Sequence, residues 1–382
     1  MKILMIAGES SGDLHGAGLA RELRRREPAV ELVGVGGEKM AAEGVRLVAD
    51  ITHIAAVGLV EPLRNLTRFL ALYRTLISLL RRERPDAVVL IDFPEFNLRF
   101  AERVKDRGIP LVYYISPQVW AWRPWRIHRI VELVDRMLVL FDFERELYQK
   151  HGQDVHWVGH PLIDLMHESG AGDDLRRELG ISPDAVAIGL LPGSRRKEVE
   201  RLMPVMTEAA LGIRREVPGV RFLVGVAPSI DPALLRRFIP ADLPVQLVTG
   251  RTYDVMRTSN LLLVASGTAT LEAAVIGTPM IMMYKLSYLS YLAGKLLVQI
   301  DRYSLVNIVA GKRIIPELIQ HDASPERVAA EAMSILRNGR GETMKRELAE
   351  LRQKLGQPGA SGRAAEAVLD LVRNGAPRAV TS

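Results

Sequence analysis

Residues 261–279 read LLLVASGTATLEAAVIGTP. Leu261 to Ala265 is an apolar run of strand length, Ser266-Gly267-Thr268 is a small polar turn, and Leu271 to Ile276 reads as a helix. Gly277 and Pro279 stop that helix in the expected order. A strand, a tight glycine turn and a buried helix N-terminus together make an anion site, because free N–H groups and the positive end of the helix dipole face whatever sits above them. Ser266, Thr268 and Thr270 can add hydroxyl donors, and Glu272 in the first turn can accept bonds from a ribose. The stretch thus predicts a seat for the diphosphate and ribose of a nucleotide. An ordinary βα turn with a Ser or Thr cap is the plain alternative.

Strand and helix signals alternate outward from this stretch. Lys2 to Ala7, Val30 to Val35, Ala87 to Ile91, Leu111 to Ile115, Arg136 to Phe141 and Val155 to Val158 read as strands of a first set. Ala187 to Leu191, Val220 to Val226, Val245 to Val248, Leu261 to Ala265 and Met280 to Tyr284 form a second. Gly159-His160-Pro161 and the polar 168–174 stretch look like a linker. The division expected is 1–165, 166–355, and a tail, 356–382, whose helix folds back on the first domain. A length of 382 residues agrees with two domains. Gly34-Val35-Gly36-Gly37 follows the second strand and has Lys39 where a dinucleotide fingerprint needs its third glycine, so no nicotinamide site is expected.

The chain has no cysteine, which excludes disulfides and thiolate catalysis. Its N-terminus, MKILMIAGESSGD, is too short in apolar residues for a signal peptide. No run of about twenty uncharged apolar residues is long enough to span a bilayer. The expectation is a cytoplasmic protein. A net charge of +6 and a pI near 9.5 favour an anionic partner: nucleic acid, acidic lipid or a phosphorylated substrate. The basic residues scatter along the chain, which argues against nucleic acid.

Other stretches carry chemistry. Asp92 ends a buried strand at the edge where α/β folds place their sites; an N-cap is its plain alternative. Pro192 to Glu198 is a second Gly-Ser turn opening a helix, with Arg195, Arg196 and Lys197 beside it. Trp120, Trp122 and Trp125 interleave with arginines. Leu59 to Arg82 is helical with Leu63, Leu66, Leu70, Tyr73, Ile77 and Leu80 on one face and Phe69, Leu72, Leu76 and Leu79 on another, among arginines 64, 68, 74, 81 and 82. That pattern fits either a core helix or one lying in a membrane interface.

Seven motifs in order, GESSGD (8–13), IDFPEFN (91–97), SPQVWAW (116–122), VGHP (158–161), LLPGSR (190–195), SGTATLE (266–272) and SLVN (304–307), make the chain similar to the lipid-A-disaccharide synthase family. Glu95 stands where that family often has Asp. The resemblance implies a GT-B fold, α/β, with two doubly wound Rossmann-like domains facing across a cleft. It implies an inverting hexosyltransferase that moves a diacylglucosamine from UDP-2,3-diacylglucosamine to the 6-hydroxyl of 2,3-diacylglucosamine 1-phosphate, needing neither cofactor nor metal.

By the same resemblance Asp92 is the base, or holds the acceptor hydroxyl. Arg195 stabilises the leaving diphosphate; Ser194, Ser266, Gly267 and Thr268 hold phosphates, Glu272 the ribose, and Asn307 the donor. Gly8, Glu9, Ser10, Ser11 and Asp13 line the acceptor side. Substrates with two long acyl chains stay in a bilayer, at about 0.8 kcal/mol per buried CH₂. The enzyme should therefore dock on the anionic cytoplasmic face of the inner membrane through Leu63, Leu66, Phe69, Leu70, Leu72, Tyr73 and Leu76, helped by Trp120 to Trp125 or Tyr284 to Leu297. A homodimer through the C-terminal helices stays open. The alternatives are another GT-B enzyme of UDP-amino sugars, either a peptidoglycan-type transferase or a UDP-sugar epimerase, and, distantly, a basic nucleic-acid-binding protein.

Overall fold

The computed structural model describes residues 1–50, 62–121, 123–164, 173–286 and 301–375; at 10, 62–68, 173 and 174 it describes the backbone alone. The expected linker, Trp122 and most of the Tyr284–Leu297 stretch lie outside the described residues. The chain divides into two compact units, Met1–Asp164 with Leu355–Ser382, and Leu165–Lys354.

The first unit is built on a parallel sheet of seven strands in the order β3-β2-β1-β4-β5-β6-β7. These are β1 (Lys2–Ala7), β2 (Glu31–Gly36), β3 (Arg46–Asp50), β4 (Ala87–Ile91), β5 (Leu111–Tyr114), β6 (Arg136–Val139) and β7 (Val155–Trp157). Helices α1 (Ser10–Arg26), α2 (Glu38–Ala42), α3 (Pro62–Glu83), α4 (Pro94–Lys105), α5 (Arg126–Leu133) and α6 (Asp142–Gln149) connect them. The central strands are apolar throughout because helices cover both faces of such a sheet; every residue of β4 and β5 is buried. The winding runs outward from β1 to β3, then crosses to β4 on the other side. β1 and β4 pair up to Ala7 opposite Ile91, so the segments leaving them diverge from the same edge.

The short edge strand β3 has only Leu47 to Ala49 apolar, between charged Arg46 and Asp50, and none of them is fully buried; no expectation covered it. In the GESSGD motif, α1 already begins at Ser10.

The C-terminal helix, α15 (Ala360–Asn374), packs on α1, with Gly18 against Ser361. Arg136 on β6 ties it in, donating to the Ala367 carbonyl at 2.8 Å and pairing with Asp154 and Asp370, each at 2.7 Å.

The second unit has six parallel strands ordered β10-β9-β8-β11-β12-β13: β8 (Ala187–Leu191), β9 (Arg221–Val226), β10 (Val245–Thr249), β11 (Leu261–Ala265), β12 (Met280–Tyr284) and β13 (Glu317–Ile319). Its helices are α7 (Asp173–Glu178), α8 (Arg196–Glu216), α9 (Pro232–Arg236), α10 (Thr252–Thr258), α11 (Thr268–Ile276), α12 (Leu305–Ala310), α13 (Pro325–Arg337) and α14 (Arg340–Lys354). The winding again reverses between neighbours, here β8 and β11, which pair up to Leu191 opposite Val264.

On helix α3 the stripe that includes Leu72 and Leu76 belongs to the core. Leu72 and Leu76 are buried with Leu79 and Leu80 in the core beneath β4 and β5, and Phe69 and Tyr73 pack against that core. Leu72 and Leu76 therefore do not meet a membrane. Their stripe faces the sheet because the sheet is the larger apolar surface available to it. Leu70 is exposed, at 48 %. The side chains of Leu63 and Leu66 are outside the described residues.

Leu76→Ala should lower the unfolding free energy by about 2–5 kcal/mol, whereas Leu70→Ala should stay within about 0.5 kcal/mol of the parent. Urea denaturation of both variants checks this; an unchanged midpoint for Leu76→Ala would take the residue out of the core.

Candidate functional site

Asp92 follows β4 and stands beside Gly8 and Glu9, which follow its neighbour β1. Two consecutive non-glycine residues are left-handed here, Asp92 at φ 49° and Phe93 at φ 52°. Asp tolerates that conformation; a bulky aromatic does so only when its surroundings impose it.

Those surroundings are specific. The Asp92 N–H donates to the Tyr114 carbonyl at 3.0 Å. The Asp92 carbonyl accepts from the Tyr113 hydroxyl and from the Asn97 amide, both at 2.7 Å. The Phe93 ring stacks on Phe96 at 5.7 Å and lies 6.1 Å from Phe69. It also fills the space where a Cβ on Gly8 would sit, 2.2 Å from Phe93 Cδ1. Gly8 thus serves by having no side chain.

The Asp92 carboxyl is raised from 3.8 to about 6, first by burial and then by the Glu9 carboxylate, against a lowering hydrogen bond from the Phe93 N–H. A base whose pKa lies just below neutral is both ionised and basic enough to accept a proton.

Other residues expected on the acceptor side take different parts. Asp13 is buried, and its carboxylate accepts from the N–H groups of Gly37 (2.7 Å), Lys39 (3.2 Å) and Met40 (3.1 Å). It caps α2 from a distance and has little left for a ligand, which corrects its expected role. Glu9 is exposed at the N-cap of α1 and Ser11 is partly buried behind it; the side chain of Ser10 is outside the described residues. Glu95 pairs with Arg126 through both oxygens, at 2.8 and 2.9 Å, and with Arg123 at 3.3 Å.

The SPQVWAW segment is anchored by a residue the sequence reading passed over. Buried Glu144, on α6, accepts from the Ser116 hydroxyl at 2.8 Å, the Trp120 indole at 3.2 Å and the Phe141 N–H at 3.2 Å. Burial outweighs these bonds and raises its carboxyl from 4.5 to about 7.

In the second unit, Pro192 to Arg195 and Ser266 to Thr268 leave adjacent strands β8 and β11 at the reversal point. Gly193 has φ 108°, and a Cβ there would lie 2.5 Å from Glu198 Oε2. Gly267 has φ 153° and ψ −163°, a region open essentially to glycine alone. Gly267 caps α11, and Gly267 and Thr268 are exposed above the helix start. Ser194 and Arg195 are exposed too. The Arg195 guanidinium pairs with Glu198 at 3.1 Å, with its side chain 73 % exposed. Glu272 accepts from the Tyr253 hydroxyl at 3.1 Å.

Two hydroxyl and amide expectations are corrected. The Thr270 hydroxyl is spent on the Gly267 carbonyl at 2.8 Å. Asn307 is fully buried with its amide committed on both sides: it donates to the Ile315 carbonyl (3.0 Å) and Glu317 (2.9 Å), and accepts from the N–H groups of Ile314 (2.8 Å) and Ile315 (3.0 Å). It fastens the approach to β13 onto α12 and has no donor or acceptor left for a sugar nucleotide.

The arrangement defines a class: two parallel α/β units, with an acid at the reversal point of one sheet and two anion-type turns at that of the other. Solved structures with this fold cover nearly all of both chains. A UDP-N-acetylglucosamine 2-epimerase from Listeria monocytogenes, described as putative in its own title, matches with a TM-score of 0.69 at 14 % identity, covering 98 % of this chain and 97 % of that one. MurG of Acinetobacter baumannii matches at 0.60 and 13 %, covering 97 % and 99 %. The calicheamicin glycosyltransferase CalG4 matches at 0.64 and 15 %, covering 98 % and 99 %. The fold is GT-B, which glycosyltransferases and epimerases share.

A family profile described as lipid-A-disaccharide synthetase matches residues 3–371, and the chain belongs to that family. Lipid-A-disaccharide synthase of Syntrophus aciditrophicus (strain SB) is 46 % identical over 374 residues, covering 97 % of this chain and 98 % of its relative. That of Myxococcus xanthus (strain DK1622) is 40 % identical over 376 residues, covering 98 % of each. Membership makes this chain an inverting hexosyltransferase of lipid A biosynthesis and sets the epimerase and peptidoglycan alternatives aside.

Glu144 gives the first unit a pH signature. Its folded pKa, about 7, lies above the ordinary 4.5, so the folded state holds the extra proton between the two values. Its contribution to stability is therefore full at low pH and is lost as pH rises through that window. Glu144→Gln should remove this fall. Urea midpoints of parent and variant from pH 4.5 to 8 check it; two curves that stay parallel would mean that Glu144 does not titrate there.

Proposed function

We propose that this enzyme transfers 2,3-diacylglucosamine from UDP to the 6-hydroxyl of 2,3-diacylglucosamine 1-phosphate, forming the β-1′,6-linked disaccharide phosphate and UDP. The observation that carries the roles is Asp92: a half-buried acid beside the β1–β4 reversal, with its pKa raised to about 6. An α-linked donor and a β-linked product call for one in-line displacement. Asp92 takes the proton of the 6-hydroxyl as its oxygen attacks the anomeric carbon, and the bond to the UDP oxygen breaks. A positioned base of this kind is worth about 10²–10⁴ in rate.

The leaving diphosphate gathers negative charge, and the N–H groups of exposed Gly267 and Thr268, the Ser194 and Ser266 hydroxyls and Arg195 are the donors for it. Arg195 can leave Glu198, since an exposed pair is worth only about 0–1 kcal/mol. Glu272, held by Tyr253, is the partner for the ribose.

Among the described residues no helix is long and apolar enough to cross a membrane. The acyl chains keep both substrates in a bilayer, so we place the enzyme peripherally on an anionic inner-membrane surface, with exposed Leu70 on α3 as its apolar contact. The net charge of +6 favours that surface.

A UDP-release assay with both diacylated sugars in detergent micelles tests the reaction. Release should require both sugars, and kcat/KM should rise with pH through about 6, because the ionised form of Asp92 is the active one. Asp92→Asn should keep UDP affinity and lose about 10²–10⁴ of turnover. Arg195→Ala should weaken UDP itself and lower kcat by roughly 10²–10³. Release without the acceptor sugar, or an Asp92→Asn variant that turns over normally, would overturn this assignment.

A further inference from the structure

The left-handed pair at Asp92 and Phe93 needs an explanation beyond tolerance. Each such residue costs on the order of 1–3 kcal/mol, and strain of this kind persists only where its surroundings over-determine it. Three contacts on the backbone of Asp92 do so. Its N–H is taken by Tyr114, and its carbonyl has both lone pairs filled, one by Tyr113 and one by Asn97.

Tyr113 and Asn97 reach this carbonyl from different elements. Tyr113 lies on β5, the strand beside β4, and is fully buried. Asn97 lies in the first turns of α4, also fully buried, and its amide doubles back to Asp92, with a longer contact of 3.4 Å to the Ile91 carbonyl. The Tyr113 hydroxyl is held un-ionised, first by burial and then by the nearby Asp92 charge, so it stays a donor at any working pH.

We propose that Tyr113 and Asn97 are positioning residues for the base: by saturating the Asp92 carbonyl they lock the left-handed turn and with it the direction in which the carboxylate points. The proposal rests on the reading of Asp92 as the base. Neither side chain touches substrate. Each acts through the backbone of Asp92, and through the Phe93 N–H, which the same turn brings onto the carboxylate. Phe93 completes the lock: Gly8 leaves room for its ring, and Phe96 and Phe69 pack it.

This role differs from that of a core residue in what its loss changes. If the turn relaxes, the carboxylate swings off line by an ångström or so, which is worth about 10²-fold in rate. The Phe93 N–H also leaves the carboxylate, which removes a bond that favours its ionised form. The other charged or titratable groups acting on Asp92 and Tyr113, namely Glu9, Glu95 and Tyr148, are untouched by the substitutions.

The test is steady-state kinetics of Tyr113→Phe and Asn97→Ala in the UDP-release assay, with UDP affinity measured separately. Tyr113→Phe should lower kcat about tenfold and Asn97→Ala about a hundredfold. KM for both sugars and the UDP dissociation constant should stay within about twofold, and the acid limb of kcat/KM should move to higher pH. Tyr113→Phe keeps the ring and its packing, so it decides the matter alone if Asn97→Ala fails to fold.

A kcat within about twofold of the parent in folded Tyr113→Phe would overturn the positioning role. So would a loss of turnover that only follows a loss of UDP-competent protein, with the acid limb unmoved. Should Asp92→Asn turn over normally, the base reading itself falls. Should Asp92→Asn be inactive while Tyr113→Phe is unimpaired, the base stands and the lock does not.

Discussion

The hydrogen bonds pairing β1 with β4, and β8 with β11, are the constraint on which the rest of each unit depends. A parallel strand can be joined to its neighbour only by a crossover, and crossovers of one hand carry the chain steadily to one side. When the chain returns to start the other half of the sheet, the two innermost strands send their following segments apart. A crevice opens that no crossover covers. In the first unit the segments are the Gly8 turn and Asp92; in the second they are the Ser194 and Ser266 turns. The proposed chemistry sits at these two reversal points.

Both anion turns use glycine for its conformation, with φ at 108° at Gly193 and 153° at Gly267. At Gly193 a Cβ would also meet Glu198, whereas at Gly267 nothing lies within 4 Å of that position. The second turn presents its helix N-terminus without obstruction. The first brings a cation beside it, paired with Glu198 on the exposed surface, where such a pair is worth little.

Much of this was legible in the sequence, and what was not has a common cause. Buried parallel strands write themselves as apolar runs, so β4, β8, β11 and β12 were bounded to the residue. Edge strands β3 and β13 are short and only partly buried, so their apolar runs are too brief to stand out. Motif letters marked candidate residues but did not separate those free to face a ligand from those holding the loop: Asp13 caps α2 and Asn307 ties a turn. Helical periodicity showed that α3 has more than one apolar stripe but not which stripe the sheet would claim. Tyr113, Asn97 and Glu144 were passed over as functional because their significance lies in partners. Tyr113 meets Asp92 across 21 residues and Glu144 meets Ser116 across 28, distances over which no local pattern reports.

Asp92 illustrates what the site costs. Raising its pKa from 3.8 to about 6 means that the ionised form is about 3 kcal/mol less favoured in the fold than in water, and this loss is felt above the folded pKa, where the proposed base carries its charge. The backbone strain at Asp92 and Phe93 adds to it. Neither term would survive in a loosely packed loop, which would relax to an ordinary turn and let water reach the carboxylate. The aromatic packing of Phe69, Phe93, Phe96 and Tyr73 and the saturated Asp92 carbonyl remove both escapes. A less strained turn here would be more stable but would hold the carboxylate of the proposed base less firmly, so the strain and the raised pKa are best understood as one feature.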